Sequence, residues 1–132
     1  YRHAYAFVLE VYRKTEHFPE SEKQNIVHQL RRAAVSIPLN IAEGSAKASN
    51  REFAYFLNVS YASAKEVEVL LSLSHDLKYL DYHNFKLLAG KLDELNAKLF
   101  LFLRNVEARV PNKKYQFFQK FEEKVKEESN KL

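Results

Sequence analysis

The side chains of this sequence that are best suited to chemistry are basic residues, whose charges can bind phosphate groups. Arg31 and Arg32 stand side by side, just before a segment that carries no charge from Ala33 to Ala42. Contacts from lysine and arginine to phosphate supply much of the affinity of nucleic-acid-binding proteins. The net charge of +4 and the isoelectric point of 9.2 are compatible with such a ligand. The candidate phosphate contacts are Arg31, Arg32, Lys47, Arg51, Lys113 and Lys114.

Both arginines also have a structural interpretation. Arg31 borders the apolar face of its predicted helix, where it could pair with a nearby acidic side chain. Arg32 lies within about 20° of Glu43 on an ideal helix but some 16 Å from it along the axis, so its partner would have to come from another helix or subunit. We favour the structural interpretation for both residues and leave the phosphate-binding alternative open.

Sequence patterns typical of enzymes and metal sites are absent. Di-iron bundles place a Glu three residues before a His on two helices, and none of the five histidines here has a Glu at that position. Phosphate-binding loops need clustered glycines, whereas Gly44 and Gly90 are isolated and no cysteine is present. We therefore expect a protein that is not an enzyme and that holds no metal or cofactor.

A proline lies at the centre of the second predicted helix. Pro38 removes one backbone donor and crowds the carbonyl of Ala34, which costs about 3 kcal/mol in a helix interior. Apolar residues keep their helical spacing across it, which favours one kinked helix over two helices that meet at Ile37. The surrounding motif consists of Ser36, Pro38, Asn40, Glu43 and Gly44. We expect its Asn and Glu side chains to satisfy backbone groups freed by the proline.

Helical spacing of apolar residues runs through most of the chain. Two glycines and three prolines among 132 residues leave little to build the turns of a sheet. The spacing predicts helices over about 1–16, 21–47, 50–77 and 82–108, and a short amphipathic helix after residue 112. The predicted helix caps are Ser21, Ser49 and Asp81.

These elements predict an all-α protein. Short connections favour antiparallel neighbours, and therefore an up-down-up-down four-helix bundle over residues 1–110 with an amphipathic helical tail over 111–132. Predicted core positions of the second helix are Ile26, Leu30, Ala33, Ile37, Ile41, Gly44 and Ala48. Those of the fourth helix are Phe85, Leu88, Leu92, Leu95, Leu99, Phe102 and Val106. The tail aromatics and lysines could stack on single-stranded bases; we favour docking of the tail on its own bundle or a neighbouring subunit.

Two uncharged bands suggest that the chain does not act alone. The second helix has no charge from Ala33 to Ala42, and the third has none from Ala54 to Ala64. A helix in a solitary bundle needs one apolar face and one solvated face. The bands therefore favour a second buried face and a protein–protein interface. The alternative is a thick core with neutral Ser, Asn and Tyr side chains facing water.

The segment RRAAVSIPLNIAEGSAK, preceded by FPESEK and followed by SNREFAYFLNVSYASAKEVEVLL, resembles a family of small bacterial four-helix-bundle proteins. Its members include the proteins encoded by intervening sequences within some bacterial large-subunit ribosomal RNA genes. A related branch comprises the accessory proteins of diversity-generating retroelements, which bind nucleic acid. The resemblance implies a homopentamer of four-helix bundles without known enzymatic activity, and it does not extend to the tail beyond Val110.

Three functions follow as expectations. The first is a non-enzymatic oligomer that binds nucleic acid, RNA rather than DNA, through basic surface residues. The second is an oligomeric scaffold that recruits another protein and makes no direct contact with nucleic acid. An enzyme is the third and least favoured. No charged-then-apolar leader and no uncharged run near 18 residues is found, so we predict neither a signal peptide nor a membrane span and expect a cytoplasmic protein.

Overall fold

A computed structural model describes residues 1–111 and 117–131. Those residues form five α-helices and a short 3₁₀ turn, with no strand among them, which confirms the all-α class. The helices are α1 (Arg2–Thr15), α2 (Ile26–Ser45), α3 (Asn50–Asp76), α4 (Tyr82–Glu107) and α5 (Phe117–Lys131), and the 3₁₀ turn is Glu20–Glu22. Within the described ranges, no helix has the length and apolarity needed to cross a membrane.

Two of the three predicted helix caps are confirmed. The Ser49 hydroxyl accepts a hydrogen bond from the Glu52 amide at 3.1 Å, and a carboxylate oxygen of Asp81 accepts one from the Asn84 amide at 2.7 Å. The third prediction is wrong, because Ser21 lies inside the 3₁₀ turn and α2 begins only at Ile26. The backbone amides of Glu22 and Lys23 donate to the carbonyls of Pro19 and Glu20. These bonds form the 3₁₀ turn, so the α-helix does not begin at Ser21.

One continuous helix crosses the proline. Pro38 lies inside α2, which runs unbroken from Ile26 to Ser45, so the interpretation as two helices meeting at Ile37 is wrong. Ile37 itself is fully buried. The kink at Pro38 stays a prediction.

The core lies between the first four helices. α2 packs most extensively against α3, α3 also packs against α4, and α1 contacts both α2 and α4, while α5 approaches α3 and α4. Every predicted core position of α2 is buried except Ala48, which lies beyond the end of the helix. In α4, Phe102 is 40% exposed and Leu103 is fully buried instead. The ring of Phe102 packs edge-on against Phe53 at 5.3 Å, at the border between α3 and α4.

The helices α2 and α3 approach each other closely at Gly44. A Cβ atom added at Gly44 would meet the Cβ of Phe56 at 2.7 Å and a ring carbon of Phe53 at 3.0 Å. Further along the pair, the Ser60 hydroxyl donates to the Ile37 carbonyl at 2.9 Å. Because Gly44 has no side chain, it lets α3 pack closely against α2.

Most of each uncharged band is covered by the chain itself. In the α2 band, Leu39 and Ala42 are exposed, and in the α3 band Tyr55 and Ala62 are. The other residues of both bands are buried or half-buried, so a thick core accounts for most of the missing charge. The exposed apolar residues of α3 continue beyond its uncharged band, because Val69 is 67% exposed and Leu73 is also exposed.

Candidate nucleic-acid interface

The candidate site is a basic groove between the carboxyl end of α1 and the outer face of α2. Its volume is about 620 Å³. We define the basic groove by its polar and charged lining residues, which are Lys23, Gln24, His28, Arg31, Arg32, Ser36, Asn40 and Glu43. Of the four predicted phosphate contacts that the structure describes, Arg31 and Arg32 belong to it and Lys47 and Arg51 do not.

Arg31 is fixed against α1. Its Nε donates to the Thr15 hydroxyl at 3.0 Å, and its Nη2 donates to the Tyr12 carbonyl at 3.3 Å. The guanidinium carbon lies 4.5 Å from the centre of the Tyr12 ring, which is a favourable cation–π distance. The predicted structural role is thus supported, although the partners are a hydroxyl, a carbonyl and a ring and not the expected carboxylate.

A second cation neutralises the same helix end. The Nζ of Lys23 donates to the Glu16 carbonyl at 2.6 Å and to the Thr15 carbonyl at 3.4 Å. The last carbonyls of a helix have no partner within the helix, and they carry the negative end of its dipole. Lys23 and Arg31 therefore hold α1 against the start of α2 and place two positive charges on one wall of the basic groove.

Arg32 and His28 form the open side of the basic groove. Both side chains are exposed, and neither has a hydrogen bond or ion pair with any residue in the described part of the chain. They lie four residues apart on α2, so they project from the same side of the helix. A phosphate group in the basic groove could thus bind Arg32 without displacing an existing partner.

The remaining predicted phosphate contacts lie elsewhere. Lys47 follows the end of α2, with its Nζ 5.2 Å from the centre of the Phe56 ring, and Arg51 is exposed in the first turn of α3. From Arg32 to the end of α2 the helix rises about 20 Å, so one chain does not gather these residues into one site. Lys113 and Lys114 lie outside the described residues.

The motif around the proline supplies hydrogen bonds at the floor of the basic groove. The Asn40 amide donates to the Ser36 carbonyl at 2.8 Å and to the Ser36 hydroxyl at 2.9 Å. That hydroxyl lies 2.8 Å from the hydroxyl of Ser63 on α3. Pro38 leaves the carbonyl of Ala34 without its helical donor, but the Asn40 amide bonds a different carbonyl, that of Ser36. Glu43 is exposed at the rim, and its carboxylate makes no hydrogen bond to a described residue.

An apolar groove continues the basic groove along α1. Its volume is about 370 Å³, and the two grooves share Tyr12, Val35 and Leu39. The α1 wall of the apolar groove is formed by Tyr1, Tyr5, Val8, Leu9 and Tyr12, and the α2 wall by Val35, Pro38, Leu39 and Ala42. Sequence reasoning missed this surface. The sequence did contain a signal for it: a spacing of three and four residues places Tyr1, Tyr5, Leu9 and Tyr12 in a second stripe along the first helix.

A further depression of about 500 Å³ lies where α3 ends and α4 begins. Lys14, His17, His75 and Lys78 line it together with Asp81. The ring of His75 stacks on Phe85 at 4.6 Å, and its Nδ1 lies 3.1 Å from the Leu80 carbonyl. These contacts explain His75 as a packing residue.

Two ionisable groups outside the basic groove have shifted pKa values. Hydrogen bonding with the Glu22 carboxylate raises the pKa of Tyr79. Partial burial by itself lowers the pKa of Lys65, but the Tyr61 hydroxyl and the Glu68 carboxylate outweigh it and leave that pKa raised. In the described ranges, no three His, Asp or Glu side chains converge in a group that could hold a metal ion.

Comparison with known proteins identifies one family. The family model described as "23S rRNA-intervening sequence protein" matches residues 1–100. The match covers α1 to α3 and most of α4, and therefore both grooves. None of the curated proteins with which the chain was compared matches it.

Proposed function

Since this chain belongs to the 23S rRNA-intervening sequence protein family, we propose that it is a non-enzymatic, oligomeric protein that binds RNA through the basic groove. The family name links its members to ribosomal RNA genes, and an RNA ligand matches the positive net charge of the chain. The resemblance to accessory proteins of diversity-generating retroelements, which bind nucleic acid, supports the same function.

The observation that carries the proposal is the exposed, unpaired guanidinium of Arg32. It lies in one groove with Lys23, His28 and Arg31. Arg31 and Lys23 stabilise the fold, yet their charges still contribute to the field along the groove wall. Arg32 has no such structural task among the described residues, which leaves it available for a phosphate group.

Binding is tested by fluorescence anisotropy with labelled single-stranded RNA, structured RNA and duplex DNA over a series of salt concentrations. We expect the affinity to fall steeply with salt, because each phosphate contact releases counterions. Arg32→Ala should weaken binding and reduce the salt slope by about one. Arg104→Ala is the matched control, because it removes the same charge from an exposed position on α4. No binding to any of the three probes at low salt would refute the proposal.

We also infer the finer arrangement of the helices. Contacts of Ser36 with Ser63, of Ile37 with Ser60 and of Gly44 with Phe56 run in opposite directions along α2 and α3. This supports an antiparallel four-helix bundle over residues 1–110, with α2 bent at Pro38. The residues from 111 onwards would then be an appended tail. A chain ending at residue 110 should retain cooperative unfolding, as followed by circular dichroism.

An exposed apolar stripe on α3 supports self-association. The stripe consists of Tyr55, Ala62, Val69, Leu73 and Leu77, which lie roughly opposite the buried face of the helix, with the exposed Glu66 on the same side. Its spacing of seven, seven, four and four residues is typical of a helix that packs against another helix. We propose that copies of the chain meet here, and the family resemblance implies five of them.

Light scattering after size-exclusion chromatography measures the assembly. Val69→Lys should reduce the solution mass, because it places a charge in the proposed interface. Leu101→Lys is the control, since Leu101 is an exposed leucine on α4, outside the stripe. A parent protein with the mass of one copy at micromolar concentration would refute self-association.

A protein-recruiting scaffold is the alternative function. Residues 123–131 of α5 are all exposed, and they present a helical surface that the first four helices leave uncovered. A pull-down with and without residues 111–132 separates the two functions. Loss of a protein partner on removal of these residues, from a chain that binds no RNA, would favour the scaffold.

A further inference from the structure

We infer that the apolar groove between α1 and α2 receives unpaired bases of a single-stranded RNA segment whose phosphates lie in the basic groove. The inference rests on the proposed function and adds to it the kind of RNA that binds. It assigns the tyrosines of α1 a role as stacking platforms.

The first support is the shape and composition of the apolar groove. Tyr1 and Tyr5 are 62% and 55% exposed, and their ring centroids lie 6.3 Å apart with the ring planes tilted by 40°. The opposite wall contains Pro38 and Ala42, whose small side chains leave an open slot beside the rings. A flat aromatic base fits between a ring and such a wall, and every base has a face that can stack.

The second support is continuity with positive charge. Tyr12 belongs to both grooves, and its ring already stacks against the guanidinium of Arg31. The described lining of the apolar groove contains no carboxylate, and that of the basic groove contains only Glu43. Glu10, on the same helix, is paired with Arg13 at 2.6 Å. A strand with a charged backbone and apolar base faces complements the basic groove and the apolar groove together.

The third support is length. From Tyr5 to Tyr12, α1 rises about 10 Å. At about 3.4 Å per stacked nucleotide, this accommodates roughly three bases before the strand reaches the basic groove. Base pairs in a duplex are stacked on each other and cannot offer their faces to the tyrosines, so the surface selects unpaired nucleotides.

The test compares an oligoadenylate of about a dozen nucleotides with the duplex that it forms with its complement, both fluorescently labelled. We expect the full chain to bind the single strand more tightly than the duplex. Tyr5→Ala should weaken single-strand binding by roughly five- to a hundredfold and leave duplex binding unchanged. Tyr5→Phe should retain the parent affinity, because the ring and not the hydroxyl stacks. Tyr82→Ala, at an exposed tyrosine on α4, should have no effect.

Photocrosslinking gives an independent readout. A single strand that carries iodouridine should crosslink to the peptide containing Tyr5 or Tyr12, as identified by mass spectrometry. Single-strand and duplex affinities that are equal, and that Tyr5→Ala does not change, would overturn the inference while leaving RNA binding intact. Tyr5→Ala that lowers the solution mass of the protein without changing its RNA affinity would identify the groove as a protein interface, and would also overturn the inference. Absence of binding to any RNA would refute the proposed function itself.

Discussion

The close approach of α2 and α3 at Gly44 predicts a large difference between two glycine substitutions. Gly44→Ala would place a Cβ 2.7 Å from the Cβ of Phe56 and 3.0 Å from a ring carbon of Phe53. Carbon atoms in favourable contact are about 3.5–4.0 Å apart. The Phe53 ring can rotate, but the Phe56 Cβ is fixed to the α3 backbone, so the two helices must separate locally. Gly90 on α4 is the matched control, because an added Cβ there would meet no atom within 4 Å.

The expected changes in the free energy of unfolding follow from two opposing effects, helix propensity and overpacking. Ala is favoured over Gly in a helix interior by about 1 kcal/mol, and this gain is smaller at Gly44, which lies one residue before the end of α2. Overpacking costs about 1–3 kcal/mol. We therefore expect Gly44→Ala to lower the free energy of unfolding by about 1–2 kcal/mol and Gly90→Ala to raise it by about 1 kcal/mol.

Urea denaturation followed by far-UV circular dichroism measures both variants. The protein concentration must be equal throughout, because self-association would add to the apparent stability. The two variants should also differ in melting temperature, by about 3–5 °C for each kcal/mol that separates them. Equal stability of the two variants would show that α2 and α3 do not meet closely at Gly44 and would refute the packing described above.

Three further predictions concern stability. Lys78 follows the end of α3 with a φ of 67°, a conformation that glycine adopts more easily than lysine. In urea denaturation, Lys78→Gly should therefore raise the free energy of unfolding by about 0.5–1 kcal/mol. A free energy of unfolding below that of the parent would show that Lys78 is not strained. Arg31→Ala should lower the free energy of unfolding by about 2 kcal/mol, because the contacts with Thr15 and Tyr12 are lost. Arg32→Ala should leave the free energy of unfolding unchanged. Equal losses in the two variants would show that Arg31 has no stabilising role that Arg32 lacks. Ile37→Asp should cost about 4 kcal/mol or more and abolish cooperative thermal unfolding, since it buries an unpaired charge; a normal melting transition would remove Ile37 from the core.

Sequence patterns determined the elements because local interactions specify them. The caps at Ser49 and Asp81 act within one turn, so three residues of sequence are enough to identify them. The buried stripe of α2 follows from its period, and the same period favoured a helix continuous through Pro38. The start of α2 was misplaced because Ser21 fits the capping pattern, while the turn after α1 depends on backbone bonds to Pro19 and Glu20.

Side-chain partners from other helices could not be read from the sequence. Arg31 was expected to pair with a carboxylate, but the packing of α1 on α2 places it beside Thr15 and Tyr12. Phe102 and Leu103 are neighbours of similar hydrophobicity, and only the position of α3 decides which of them is buried.

For this protein the sequence by itself determined the helical class, most helix ends and the supply of positive charge, because these depend on residues within a few positions of one another. Tertiary structure decided which charges share a groove. It placed Arg31 and Arg32 of α2 in one groove with Lys23, beside Tyr12 of α1. The physical reason is that a binding surface forms between helices, and the distance between two side chains across helices is set by packing rather than by their separation in the chain.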